Sequence, residues 1–158
     1  MNSVGKSVKN NKGFSLVEML VVMAILAILT GGAVASISIV NNANVNKAAS
    51  ALDSAFSKAR TNGMAKGSGY HLKLSMEGNS LYASTLVSGV LEKKEKISGG
   101  GVSVTLPAVT EYYFTADGGV RGATSALSSK EDVVFTHGER TAKFTFYKIT
   151  GDHDVTLN

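Results

Sequence analysis

The chain has no cysteine, no tryptophan and a single proline in 158 residues. Without cysteine it can build neither a disulfide framework nor a thiolate metal site, whichever redox compartment it occupies. Stability must come from burial. The three histidines are far apart, and no H-E-x-x-H or comparable ligand spacing occurs. No metal and no cofactor are therefore expected. A G-x-S-x-G nucleophile elbow is also missing. Gly67-Ser68-Gly69 and Gly99-Gly100-Gly101 lack the lysine and hydroxyl residue of a phosphate loop. The length leaves room for one domain and an appendage, and no constellation of residues points to an enzyme.

Positive charge is scarcer than the net value of +4 suggests. Lys6, Lys9 and Lys12 all precede Gly13, in a stretch with no acidic residue. Beyond Gly13 the basic and acidic residues differ by one. The electrostatic argument for a nucleic-acid partner then loses most of its force.

What the chain does have is a long apolar run. From Phe14 to Ala35 the only charged residue is Glu18, and Met19 to Leu29 is unbroken. About 20 such residues at 1.5 Å each span the roughly 30 Å hydrocarbon core of a bilayer. Residues 14–40 are expected to be a single-pass membrane helix, and residues 1–13 a basic leader. The lysines before the run keep the N-terminus cytoplasmic and send the rest outward. Ala33-Val34-Ala35 also fits a secretory A-x-A cleavage site, which would release a binding domain beginning at Ser36. Against that stand the embedded carboxylate and a run longer than the usual 7 to 15 residues of a signal peptide, by the general rule for such segments.

Val45, Ala48, Leu52, Ala55, Phe56 and Ala59 then recur at three- and four-residue spacing. This predicts an amphipathic helix over residues 41–68. No proline separates Phe14 from Met64, so one helix can run from the apolar segment into the amphipathic one and end near Gly63 to Gly69. Its length would be on the order of 75 Å. Gly31 and Gly32 are its weak point, each costing about 1 kcal/mol against alanine.

After Gly69 the period changes to two. Tyr70 to Met76 and Leu81 to Val87 read as a hairpin around Glu77-Gly78-Asn79-Ser80. Further strands are expected at Val102 to Leu106, Glu111 to Thr115, Asp132 to Thr136 and Thr141 to Ile149, giving an antiparallel sheet over residues 69–158. Gly122 to Ser129 reads as a mobile loop. Tyr112, Tyr113 and Phe114 read as core and sheet, not as a base-stacking platform. Lys93, Lys94 and Lys96 alternate with Glu92 and Glu95 and read as a solvated face. Asp152-His153-Asp154 reads as a solvated turn, and Asp117-Gly118-Gly119 lacks EF-hand spacing for Ca²⁺.

Lys12-Gly13-Phe14-Ser15-Leu16-Val17-Glu18, followed by the apolar run, resembles the class III signal of type IV prepilins and type II secretion pseudopilins. The resemblance implies an α+β, pilin-like fold: a long hydrophobic N-terminal helix packed through its second half on an antiparallel sheet. It implies cleavage after Gly13 by a prepilin peptidase and methylation of Phe14. It also assigns Glu18 to assembly, its carboxylate neutralising the N-terminal amine of a neighbouring subunit. The implied partners are other pilin subunits, the prepilin peptidase, the inner-membrane assembly platform and, before assembly, lipid. Phe114-Thr115-Ala116-Asp117-Gly118 and Thr150-Gly151 are similar to short segments of the minor-pseudopilin, FimT-like branch. The C-terminal cysteine pair of many pilins is absent. A DNA-uptake role in a competence pilus is the rival within this class, with Lys93, Lys94 and Arg140 as its expected contacts.

Overall fold

The computed structural model describes residues 14–67, 69–99, 101–122 and 129–158, and within these leaves aside the side chains of residues 33–36 and 38. The leader with Gly13, the Ala33-Val34-Ala35 side chains and most of the expected loop at Gly122 to Ser129 lie outside the described residues. Two compact units divide the chain, Met1–Ser38 and Ile39–Asn158.

A 51-residue helix, α1 (Leu16–Lys66), forms where the two helical patterns were read. In the first unit every described side chain from Phe14 to Gly32 is exposed, among them Leu16 and Ile28 at 81% and 75%. Among the described residues no helix is long and apolar enough to cross a membrane. The span expected to reach residue 40 runs into the side chains left aside.

In the second unit the amphipathic stripe is the buried one. Val45, Ala48, Leu52, Ala55, Phe56 and Ala59 all lie in the core, joined by Ala49. Helix α1 ends on Gly67, which adopts φ +89° and donates its N–H to the Gly63 carbonyl at 2.9 Å. Glycine tolerates that left-handed conformation without steric cost. Gly63 itself is a contact point, since a Cβ there would lie 2.6 Å from the Cβ of Phe114.

Nine strands follow: β1 (Tyr70–Glu77), β2 (Ser80–Val87), β3 (Val90–Lys96), β4 (Ser103–Thr105), β5 (Glu111–Phe114), β6 (Val120–Gly122), β7 (Lys130–His137), β8 (Arg140–Tyr147) and β9 (His153–Leu157). They form two antiparallel sheets, ordered β3-β2-β1-β5-β6 and β4-β7-β8-β9. The expectation of a single sheet is corrected here. Alternation along a strand says which side chains point inward, but not which strands share hydrogen bonds.

Three strands were not foreseen, each for a physical reason. Both faces of β3 are exposed, so Val90-Leu91-Glu92-Lys93-Lys94-Glu95-Lys96 shows no alternation. Its pairing with β2 holds it, with a register shift between Thr85 and Leu86. Charges along an outer strand also discourage pairing with other chains. The second, β6, has only three residues. The third is β9, where the expected solvated turn at Asp152-His153-Asp154 is instead the start of a strand paired to β8.

The two sheets and the helix meet at Phe56. Its ring lies 5.2 Å from Phe114 of one sheet and 5.5 and 5.2 Å from Phe144 and Phe146 of the other. The contacts to Phe114 and Phe144 are edge-on, an arrangement that aromatic quadrupoles favour. Tyr112 and Phe114 are fully buried, as the core reading of this segment expected. Burial, with the nearby charge of Glu131, pushes the Tyr112 phenol far above its usual range. Its hydroxyl donates to the Val109 carbonyl.

Candidate functional site

The amino-terminal end of α1 is built by a reciprocal cap. The Ser15 N–H donates to Glu18 Oε2 at 3.1 Å, and the Glu18 N–H donates to Ser15 Oγ at 3.1 Å. This is the S-x-x-E capping box, which satisfies two of the amides a helix leaves open at its start. A negative side chain in the first turn also complements the helix dipole. Within one chain, then, Glu18 bonds the helix's own first amide through one oxygen. No described residue bonds its other oxygen, Oε1. Phe14 lies just ahead of the cap with an exposed side chain. Ser15 was not singled out from sequence, although its spacing to Glu18 carried the signal.

A second constellation lies in the second unit and joins the two short segments compared with the minor-pseudopilin branch. Arg60 of α1 donates from Nε to the Gly118 carbonyl at 3.1 Å and from a terminal nitrogen to the Thr150 carbonyl at 2.7 Å. Its other terminal nitrogen is 3.5 Å from Asp152 Oδ1. One guanidinium thus ties the Asp117-Gly118 turn to the Thr150-Gly151 turn. Asp117 is held below the usual carboxylate range by the Thr115 hydroxyl, by the Gly119 and Asp117 amides and by Arg121.

The two turns touch so closely that Gly151, at φ +65°, has no space for a side chain. A Cβ there would fall far inside the van der Waals contact distance of the Gly118 carbonyl oxygen and 3.0 Å from Arg60 Nε. Gly151→Ala combines a left-handed backbone with a steric clash, and we expect a loss of roughly 2 kcal/mol or more. Urea denaturation of the full chain checks this. A loss below about 0.5 kcal/mol, the range of ordinary surface changes, would show that the turns are not locked.

The histidines are each tied to a neighbouring element. His153 Nε2 lies 2.9 Å from Asp53 and 3.1 Å from Ser57 Oγ. These residue types suggest a hydrolytic relay, but a relay places the carboxylate and the nucleophile on opposite ring nitrogens. Here both sit at Nε2, and Nδ1 is buried without a partner. The cluster fastens β9 to α1. His71 Nε2 is 3.0 Å from Glu111 and its ring stacks on Tyr113 at 4.5 Å, while His137 Nδ1 is 3.4 Å from Asn44. Among the described residues no group of three or more His, Cys, Asp or Glu side chains is placed to hold a metal ion.

Lys93 and Lys94, expected DNA contacts in the rival reading, pair with Glu95 and Glu77. Arg140 opens β8, at the far end of the other sheet's hairpin. The structure does not bring the three together as one strand or turn.

No curated protein and no solved structure matches the chain. A family model, the prokaryotic N-terminal methylation motif, matches residues 8–34. These residues contain Gly13, Phe14, the capping box and most of the exposed apolar stretch. The motif implies processing by prepilin peptidase and assembly with other pilins. The chain carries the prepilin signal of a type IV pilin-like or pseudopilin-like precursor.

Proposed function

We propose that the protein is a non-enzymatic structural subunit of a type IV pilus-like or type II secretion pseudopilus filament. In this reading it is cut after Gly13, methylated on Phe14 and stored in the cytoplasmic membrane until assembly. The supporting observation is the apolar stretch from Phe14 to Gly32, which lies within the methylation motif, exposes every described side chain and has Glu18 as its one charge. So large an apolar surface calls for a cover. Lipid supplies one before assembly, and the same segments of other subunits supply it afterwards.

Glu18 gives the assembly its register. A carboxylate at membrane depth costs about 2.5 to 3.5 kcal/mol on insertion scales, and such groups are usually paired. The cap uses one carboxylate oxygen, so the other is free to accept from a neighbour's ammonium. Cutting after Gly13 creates that ammonium on Phe14. The charge that Lys6, Lys9 and Lys12 contribute leaves with the leader.

The test is the amino terminus of the protein isolated from its own cells. Intact mass and N-terminal sequencing are expected to find Phe14, with the mass of one added methyl group. Recovery of Ser36 would replace this reading with a secreted domain released by signal peptidase.

A further inference from the structure

Ser15 and Glu18 are the only polar side chains from Phe14 to Leu29. After cleavage, Ser15 is the one polar side chain of its own segment that Glu18 can meet. The two are joined twice. The Glu18 N–H donates to Ser15 Oγ at 3.1 Å, which fixes the backbone where the helix starts. The Ser15 N–H donates to Glu18 Oε2 at 3.1 Å, which fixes the carboxylate. Leu16, Val17 and Met19, the other side chains of this turn, are apolar and exposed. They give the carboxylate no donor.

Both bonds lie beyond the cut. The Ser15 N–H belongs to the Phe14–Ser15 peptide, so cleavage after Gly13 leaves it an amide, and a methyl group on the Phe14 nitrogen does not occupy it. Neither event removes a member of the cap. Glu18 is therefore held before any neighbour arrives. A glutamate side chain has several rotamers, and fixing one of them on association costs affinity. The cap fixes it in advance: Oε2 is engaged, and Oε1 is the oxygen that no described residue bonds.

We propose that Ser15 is the positioning residue for Glu18 in subunit pairing. Its hydroxyl sets the start of the helix and its amide holds one carboxylate oxygen, so the other is presented to a neighbour's ammonium in one orientation. Ser15 itself touches no neighbour and acts through Glu18. The inference rests on the register role of Glu18 in the proposed function.

Each variant is co-expressed with the wild type in the protein's own cells. Mass spectrometry reads the ratio of variant to wild-type subunits in sheared filaments, divided by the same ratio among processed subunits in the membrane. Taking the processed pool as reference keeps any effect of position 15 on cleavage out of the result. Ser15→Ala loses the acceptor for the Glu18 amide, and its incorporation is expected to fall about two- to tenfold, the effect of leaving one long side chain unfixed. Ser15→Thr, which keeps a capping hydroxyl, is expected to incorporate like the wild type. The double variant separates positioning from helix capping. With Glu18→Ala already present there is no carboxylate to position, so adding Ser15→Ala is expected to cause no further fall. An equal further fall would reduce Ser15 to a helix cap and overturn the inference. Full incorporation of Ser15→Ala, or a loss that Ser15→Thr does not restore, would overturn it as well. Glu18→Ala alone is read separately. Full incorporation of that variant overturns the register role of Glu18, whereas a fall there without a fall for Ser15→Ala overturns the positioning role alone.

Discussion

Phe56→Ala should be the most destabilising single truncation in the folded domain. We expect a loss of about 3 to 5 kcal/mol, the usual cost of removing a fully buried phenylalanine. That is a large share of the roughly 5 to 15 kcal/mol that holds a typical protein folded. The reason is position. Phe56 is 1% exposed, and its ring is the meeting point of the helix with both sheets, touching Phe114, Phe144 and Phe146. The rings around it are fixed by strand registers and cannot close the gap. Thermal unfolding followed by circular dichroism should show a midpoint lowered on the order of 10 °C for a chain of this size. A drop of only a few degrees would mean that the sheets hold together without the helix.

Glu18→Ala should abolish most filament assembly while leaving cleavage after Gly13 intact. Two effects act in the same direction. Removing the carboxylate makes the membrane pool easier to occupy, by about 2.5 to 3.5 kcal/mol on insertion scales, and leaves a neighbour's ammonium without its partner. A change of that size corresponds to roughly a hundredfold shift toward the unassembled pool. Because Glu18 also caps its own helix, alanine alone does not separate the two roles. Glu18→Gln does, since its amide oxygen can still accept from the Ser15 N–H while the charge is gone. Sheared-filament yield, with processed subunit measured beside it, is expected to fall for both variants. Normal filaments from Glu18→Gln would reduce Glu18 to a helix cap and contradict the pairing argument.

The processing signal was legible because its parts are contiguous. Lys12 to Glu18 and the apolar run after it occupy one stretch of chain, and a local chemical event such as peptide cleavage reads local residues. The helix was legible for a similar reason. Its apolar stripe from Val45 to Ala59 repeats at the helical period, and the same positions are buried. The first hairpin followed from an eight-residue alternation around a glycine turn, and Tyr70 pairs with Val87 across it.

The outer strands were not legible in the same way. Hydrophobic alternation reports a strand only when one of its faces is covered, and β3 is covered on neither. His153 reads as a solvated residue between two aspartates, yet its ring lies 5.3 Å from Phe56 and its Nε2 reaches Asp53 on the helix. Nothing in the local sequence states that contact, because its partners lie about a hundred positions earlier.

The sequence by itself determined that this protein carries a methylation motif, which part of it is apolar and which helix face enters the core. Each of these depends on residues within a few turns of one another. The tertiary structure alone decided that the strands divide into two sheets around Phe56. It also decided that Arg60 joins Asp117-Gly118 to Thr150-Gly151. Those pairings bring together groups separated by tens of residues, and only the closing of the chain on itself selects one partner among many of the same chemistry.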